Sequence, residues 1–377
     1  MKIFKRIMLI IFSAIILITV SVILFFRIAP QIGGKPTGKR LERMQSAPNF
    51  KDGIFHNTVE TKMEMSWSTI KESLGHYLFA DKTKKNPREP IQVKEFSKAA
   101  FEQVSNDSIA FVWFGHSTVL LKIHGINLLI DPVIVGKRAS MFYFMGPERF
   151  DYSHHITIEE LPKIDAVILS HDHYDHLDYP TIKALNDKVD RFYVPLGVGA
   201  HLEEWGVQPD QITELNWWDE VEFQGMKLAL TPTRHFSGRG FGDRFKTLWG
   251  SWVIIGPNKR LYFSGDSGYF PGFKEIGEKY GPFDLTFMEC GAYNEGWSEI
   301  HMFPEETAQA HLDVKGKLLM PIHWGKFDLA LHPWKEPVNR LAEKAKAKSI
   351  PLFTPQVGQV VSLSDSSDLD SWWENVD

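Results

Sequence analysis

The sequence predicts an α/β domain of stacked sheet and helix layers behind an N-terminal membrane-spanning helix. Three observations predict it. Ile7 to Phe26 carries no charge, and at 1.5 Å per residue such a helix crosses roughly 30 Å of hydrocarbon. From Phe111 onward, short apolar runs bounded by Gly, Pro, Asp or His alternate with helical patterns, which is how a chain writes sheet and helix layers. Histidines and aspartates stand immediately after several of those runs, where strand-end loops build sites in α/β architectures.

The N-terminal segment begins with Lys2, Lys5 and Arg6 and ends its apolar run in Phe25, Phe26 and Arg27. A cleaved signal peptide needs a shorter apolar core and a small-residue cleavage site, so residues 7–26 read as a retained single-pass anchor. Arg27, Lys35, Lys39 and Arg40 nearly balance the charge before the helix and leave sidedness open. Residues 27–105 are polar and read as a tether and wrapping extension, residues 106–363 as the catalytic domain, and residues 364–377 as a loosely held acidic tail in which Trp372 and Trp373 offer docking points. With 377 residues, 43% hydrophobic, 24% charged and a net charge of −5, the chain suits one folded core and gives no electrostatic reason to bind nucleic acid. Cys290 is the only cysteine, which excludes an intrachain disulfide.

The expected strands include Val119 to Ile123, Leu128 to Ile130, Ala166 to Leu169, Lys227 to Leu230, Trp252 to Ile255, Leu261 to Phe263, Leu285 to Met288 and Leu318 to Pro321. Helical patterns cover Thr181 to Asn186, Phe273 to Tyr280 and Pro304 to Val314.

The densest chemistry is SHDHYDHLD, Ser170 to Asp178, directly after one of these strands. In extended backbone, residues two apart project to the same side, so His171 and His173 present imidazoles to one metal ion while Asp175 and His176, past the turn, aim at a second. A solvated polar loop is the plain alternative, and three histidines in six positions after a buried strand weigh against it. Two ions need further ligands. His235 follows Thr231-Pro232-Thr233-Arg234, Asp266 follows Leu261 to Gly265, and His323 follows Leu318 to Ile322, each just past an apolar run. Nitrogen and carboxylate ligands without thiolate suit two Zn²⁺ ions, with iron or manganese compatible.

The H-x-H-x-D-H core and its distal partners resemble the metallo-β-lactamase superfamily. The flanking segments WFGHSTVLL, DPVIVGKRAS, MGPERF, FSGDSGY and IHWGKFDLALH are similar to N-acylphosphatidylethanolamine-hydrolysing phospholipase D and its bacterial relatives, over about Phe111 to Leu341. The resemblance implies a four-layer αββα sandwich. It implies that His171, His173 and His235 hold one zinc, that Asp175, His176 and His323 hold the other, and that Asp266 bridges. A homodimer is also implied. The chain departs from the family pattern at Met288-Glu289-Cys290 and at Asn294 to Ser298, near the expected pocket, which bears on the substrate more than on the metals.

Asp131, at the end of a strand, is expected to orient a metal-binding histidine, with a turn cap as its plain role. His301 is matched by a site histidine of the resembling family and is expected to stabilise phosphate charge or protonate the leaving oxygen, with an exposed loop position as the alternative. His116 suits the site or a structural role equally. Met141 to Phe150, rich in aromatics, reads as a greasy lip for acyl chains or as ordinary loop packing. The expected reaction is phospholipase D-type hydrolysis of N-acylphosphatidylethanolamine or a related phospholipid by a hydroxide shared between the metals. Opening of a lactone, cyclic ester or other phosphodiester is the alternative, and a non-catalytic metal-binding membrane protein is the reading from a different class.

Overall fold

The computed structural model describes residues 2–62, 71, 75, 85–240, 242–365 and 371–377. Helix α1 (Lys2–Ile28) stands off the domain, most of its apolar side chains exposed, and its Ile3–Ile28 stretch is long and apolar enough to cross a membrane.

Two sheets form the core, and a short hairpin of β1 (Phe50–Lys51) and β2 (Ile54–Phe55) precedes them in the chain. The first contains β3 (Ile109–Trp113), β4 (Val119–Ile123), β5 (Ile126–Ile130), β6 (Ile164–Ile168), β7 (Val189–Pro195), β8 (Ile212–Leu215) and β15 (Val361–Ser362), in the order β15-β3-β4-β5-β6-β7-β8. The second runs β14 (Leu319–Ile322), β13 (Leu285–Glu289), β12 (Arg260–Phe263), β11 (Ser251–Ile255), β10 (Met226–Thr231) and β9 (Glu220–Phe223). Two of the hairpins turn on a residue pair with φ above zero, His124-Gly125 and Gln224-Gly225, the geometry that matches strand twist in two-residue turns.

Side chains alternate along each strand as the pleat requires. Ile109, Phe111 and Trp113 join the core between the sheets, while Ala110 and Val112 pack with Phe101, Ile182, Leu185 and Leu202 from helices Lys98–Gln103, Tyr179–Leu185 and Gly199–Glu204. Helices Gly272–Tyr280, Pro304–Asp313 and Glu336–Ala347 bury Phe273, Ile276, Ala308, Val338 and Leu341 on the outer side of the second sheet. The result is the αββα sandwich expected from the sequence.

Strand direction decides where chemistry gathers. β5 to β8 are mutually parallel, β12 to β14 likewise, and two antiparallel steps return β3 to the direction of β5 and β10 to that of β12. The carboxyl ends of β3, β5 and β6 therefore share one edge of their sheet, and those of β10, β12, β13 and β14 share one edge of theirs.

The described part of the extension is packed rather than dangling. Arg40 reaches Glu203 at 2.7 Å and Glu214 at 2.9 Å, Met44 and Phe55 are buried, and the Asn57 side chain bonds both the carbonyl and the amide of His235. The acidic tail is a correction to its loose expectation: Trp372 and Trp373 are buried against Trp324, and the Trp373 indole donates to Asn339 at 2.7 Å. Indole rings remove too much apolar surface from water to stay free when a ring-lined groove is in reach.

Candidate metal centre

Loops that leave these edges deliver the chemically active side chains. Past β6 come His171, His173, Asp175 and His176, past β10 His235, past β12 Asp266 and past β14 His323. Three non-glycine residues that follow strands there, His116, Asp131 and His323, hold φ of 54°, 42° and 68°. Backbone of this kind costs about 1–3 kcal/mol per residue and persists where the surroundings fix a side chain for a purpose. Gly265 also has positive φ, and a Cβ there would stand 2.8 Å from the Ser170 side chain, so a glycine lets the Asp266 turn lie against the histidine loop.

All seven expected metal-binding residues converge. Asp266 Oδ2 lies 3.1 Å from Nε2 of His176 and of His323, and 3.7 Å from Nε2 of His171 and of His235. His173 Nδ1 stands 2.9 Å from His171 Nε2 and 3.3 Å from His235 Nε2, while Asp175 Oδ2 is 3.2 Å from His323 Nε2 and 3.4 Å from His176 Nε2. Asp266 thus sits between two groups of donors, each compact enough to hold an ion: His171, His173 and His235 with Asp266 on one side, and Asp175, His176 and His323 joined by His116 on the other.

The residues fit a pair of cations. At the centre, His176 Nε2 and Asp266 Oδ1 are buried without a hydrogen-bond partner among the described residues, although burying such atoms unsatisfied is costly. Lone pairs that face one another and lack donors between them are satisfied by a cation. The far nitrogens are anchored as metal-binding imidazoles require: His235 Nδ1 donates to the Ile300 carbonyl at 2.9 Å, and His176 Nδ1 meets Asp131 Oδ2 at 2.8 Å. Asp131 also accepts from the Ser170 amide and hydroxyl, which pins the start of the histidine loop.

Electrostatics divide the cluster. Burial, reinforced by neighbouring imidazoles, holds His171 well below the usual histidine range, and burial lowers His173 and His235 too. Burial opposes a charge on His176 and His323 as well, but the carboxylates of Asp266 and Asp175 win, raising His176 far above its ordinary value and His323 to about 10. The carboxylates thus favour positive charge at the His176 and His323 side, the charge that a bound cation would supply.

His301 faces the same space. Its Nδ1 lies 3.3 Å from Glu289 Oε2, and the buried Glu289 is held by the amides of Ser267 and Met302, both at 3.1 Å. Glu289 therefore positions His301. The sequence left both open: His116, weighed equally as a site or a structural residue, is at the site with its Nε2 2.8 Å from Asp175 Oδ2, and the partner of Glu289 is His301. The signal was present: His116 follows the β3 run as the other histidines follow theirs, and Glu289 is the one charge in the apolar strand Leu285–Glu289. A cleft of about 320 Å³ opens above, with Phe236, Trp297, Ile300 and Leu329 in its walls and Arg244 at its rim. The Arg244 guanidinium rests 4.6 Å from the centre of the Phe236 ring, with no ion pair to any described residue.

Comparison with known proteins identifies the family and the fold. Residues 126–324 match the family described as a beta-lactamase superfamily domain. An uncharacterized protein of Mycobacterium tuberculosis is 41% identical over 333 residues, 87% of this chain and 88% of that one. N-acyl-phosphatidylethanolamine-hydrolyzing phospholipase D 1 of Caenorhabditis elegans is 36% identical over 279 residues, 69% of this chain and 78% of that one. Among solved structures, a metallo hydrolase from the archaeon Ignicoccus hospitalis shares the fold, with a TM-score of 0.52 at 20% identity over 68% of this chain and 98% of that one.

Proposed function

As the chain belongs to the beta-lactamase superfamily and is a metallo-hydrolase of it, we propose that it hydrolyses a phosphodiester of a membrane phospholipid, with N-acylphosphatidylethanolamine the leading substrate, using two zinc ions. In this reading His171, His173 and His235 hold one ion, Asp175, His176 and His323 hold the other, and Asp266 is shared. Helix α1 keeps the domain at the bilayer, where encounter with lipid is intramolecular in effect.

The observation that carries a phosphodiester over an uncharged ester is Arg244, a cation without a carboxylate partner among the described residues at the rim of a cleft that holds the metal-binding cluster. A phosphate satisfies it and a lactone does not. The 36% identity to a phospholipase D of this substrate class supports the same choice.

Bound at this cluster, the ions would supply Lewis acidity toward the phosphoryl oxygens and water acidified to a pKa near 7. The chain's own groups do the rest. Arg244 neutralises the diester and, braced on Phe236, orients it. His301, steadied by Glu289, offers a proton to the departing oxygen. Phe236, Trp297 and Leu329 line the approach with apolar surface and limit bulk water.

A panel of phospholipids offered to the full chain in detergent micelles, with products weighed by mass spectrometry, tests this. Release of phosphatidic acid with an N-acylethanolamine is expected. Turnover of lactones alone, with every phosphodiester left intact, would sink the reading.

A further inference from the structure

The loop from Lys137 to Arg149 is a braced finger. Across its base Ala139 N donates to the Pro147 carbonyl at 3.0 Å and Arg149 N to the Lys137 carbonyl at 2.9 Å, and Arg138 bonds the Gly146 carbonyl at 2.8 Å while pairing with Glu148. Its tip carries three successive large side chains in the open: Tyr143 at 60% exposure, Phe144 at 79% and Met145 at 47%. A patch of this kind on a braced loop marks an interaction surface, because neither folding nor flexibility hides it.

The neighbour of the tip identifies what covers it. The Phe142 ring stacks on Phe25 with centroids 5.1 Å apart and planes 25° apart. Phe25 belongs to the apolar stretch Ile3–Ile28 of α1. A ring stacked on a membrane-spanning segment near its end stands at the hydrocarbon boundary, and the residues that follow it project from that level. The joint is firm: the buried Gln31 donates to the Met141 carbonyl at 2.6 Å, and its own carbonyl accepts from Arg239 at 2.8 Å. Arg239 in turn donates to the Asp172 carbonyl at 2.6 Å, inside the histidine loop. Two hydrogen-bonded steps thus separate Gln31, three residues past the helix, from the histidine loop. Arg27, exposed two positions beyond Phe25, adds positive charge suited to lipid phosphates.

We propose that the tip Tyr143-Phe144-Met145 is a second membrane contact, inserted into the leaflet from which α1 emerges, which seats the catalytic domain on the lipid surface at a fixed orientation. The inference rests on the reading of α1 as a bilayer anchor. Aromatic and methionine side chains suit this depth, roughly 5–10 Å below the headgroups.

The single, fully buried Cys290 makes the test clean, because a new surface thiol takes a label alone. Full chains carrying Phe144→Cys, Ile16→Cys in mid-helix, or Asp187→Cys at the exposed far edge before β7 are labelled with an environment-sensitive fluorophore. Each is reconstituted in phosphatidylcholine–phosphatidylglycerol vesicles with spin-labelled lipids. Quenching at 144 at least about threefold that at 187 is expected, as insertion to that depth requires. Quenching at 16 with 144 as dark to lipid as 187 overturns the insertion and leaves the anchor standing. Absence at both 16 and 144 overturns both. Apolar emission at 144 without lipid quenching means that a second copy covers the tip, and this too overturns the proposal.

Discussion

Asp266 shows how much rests on single charges in the cluster. Its Oδ2 neighbours four imidazole nitrogens, so it is the group that would let two cations share one small space. Replacement by Asn keeps the volume and removes the charge. Asp266→Asn should retain its circular dichroism and bind fewer metal ions, with turnover down by about a thousandfold or more, or roughly 4 kcal/mol of transition-state stabilisation. Arg244 makes a different kind of prediction because it touches no metal-binding residue's charge directly. Arg244→Ala should raise KM for a phosphodiester about tenfold, the loss of one exposed charge-assisted contact, while a neutral ester of similar size is unaffected. Steady-state kinetics on the two substrates side by side would show it, and equal losses on both would return Arg244 to the surface.

At the scale of elements, the tail and the extension act on the site from outside it. Trp373 packs edge-on against Trp324, next to His323, and Trp372 stacks on the same ring. Trp373→Ala should cost about 3–5 kcal/mol, as for other buried aromatic truncations, and should loosen metal retention at the His323 side. Denaturant unfolding, with metal content followed in parallel, checks both. These contacts also mark the boundary of what the sequence discloses. The strands and the three helices expected above, and the convergence of the seven candidate residues, were readable because each follows from local pattern: an apolar run, a turn, then a histidine or aspartate; helices Gly38–Gln45, Lys98–Gln103, Gly199–Glu204 and Glu336–Ala347 were not. The pairing of Glu289 with His301, the seat of Arg244 on Phe236 and the bond from Asn57 to His235 were not, since each joins segments whose approach depends on how the two sheets and the extension pack. The tail was read as loosely held with Trp372 and Trp373 as docking points, and the two indoles decide the outcome by packing on Trp324.

Across the whole molecule, one buried amine ties the edge of the first sheet together. Lys326 Nζ donates to the carbonyls of Phe114 and Val133, from the loops after β3 and β5, at 3.2 and 2.6 Å. Burial, aided by the charge of Arg149, lowers its pKa to about 7. The unfolded chain, with an ordinary lysine near 10.4, therefore holds a proton that the native protein has released at any pH between these values. Where the unfolded state binds more protons, stability rises with pH. The unfolding free energy should accordingly climb from pH 7 to 9, and Lys326→Met should flatten that climb, as denaturation midpoints across the range would reveal. An identical slope in the variant would assign the dependence to other groups.

Everything chemical here descends from the convergence of five imidazoles and two carboxylates from four strand ends. Anomalous diffraction from crystals of the full chain, collected above and below the zinc absorption edge, reports on it directly. Two peaks roughly 3.5–4 Å apart are expected, one beside His171, His173 and His235 and one beside Asp175, His176 and His323, with Asp266 between them. A single peak, or none in protein that still hydrolyses its substrate, would contradict the account.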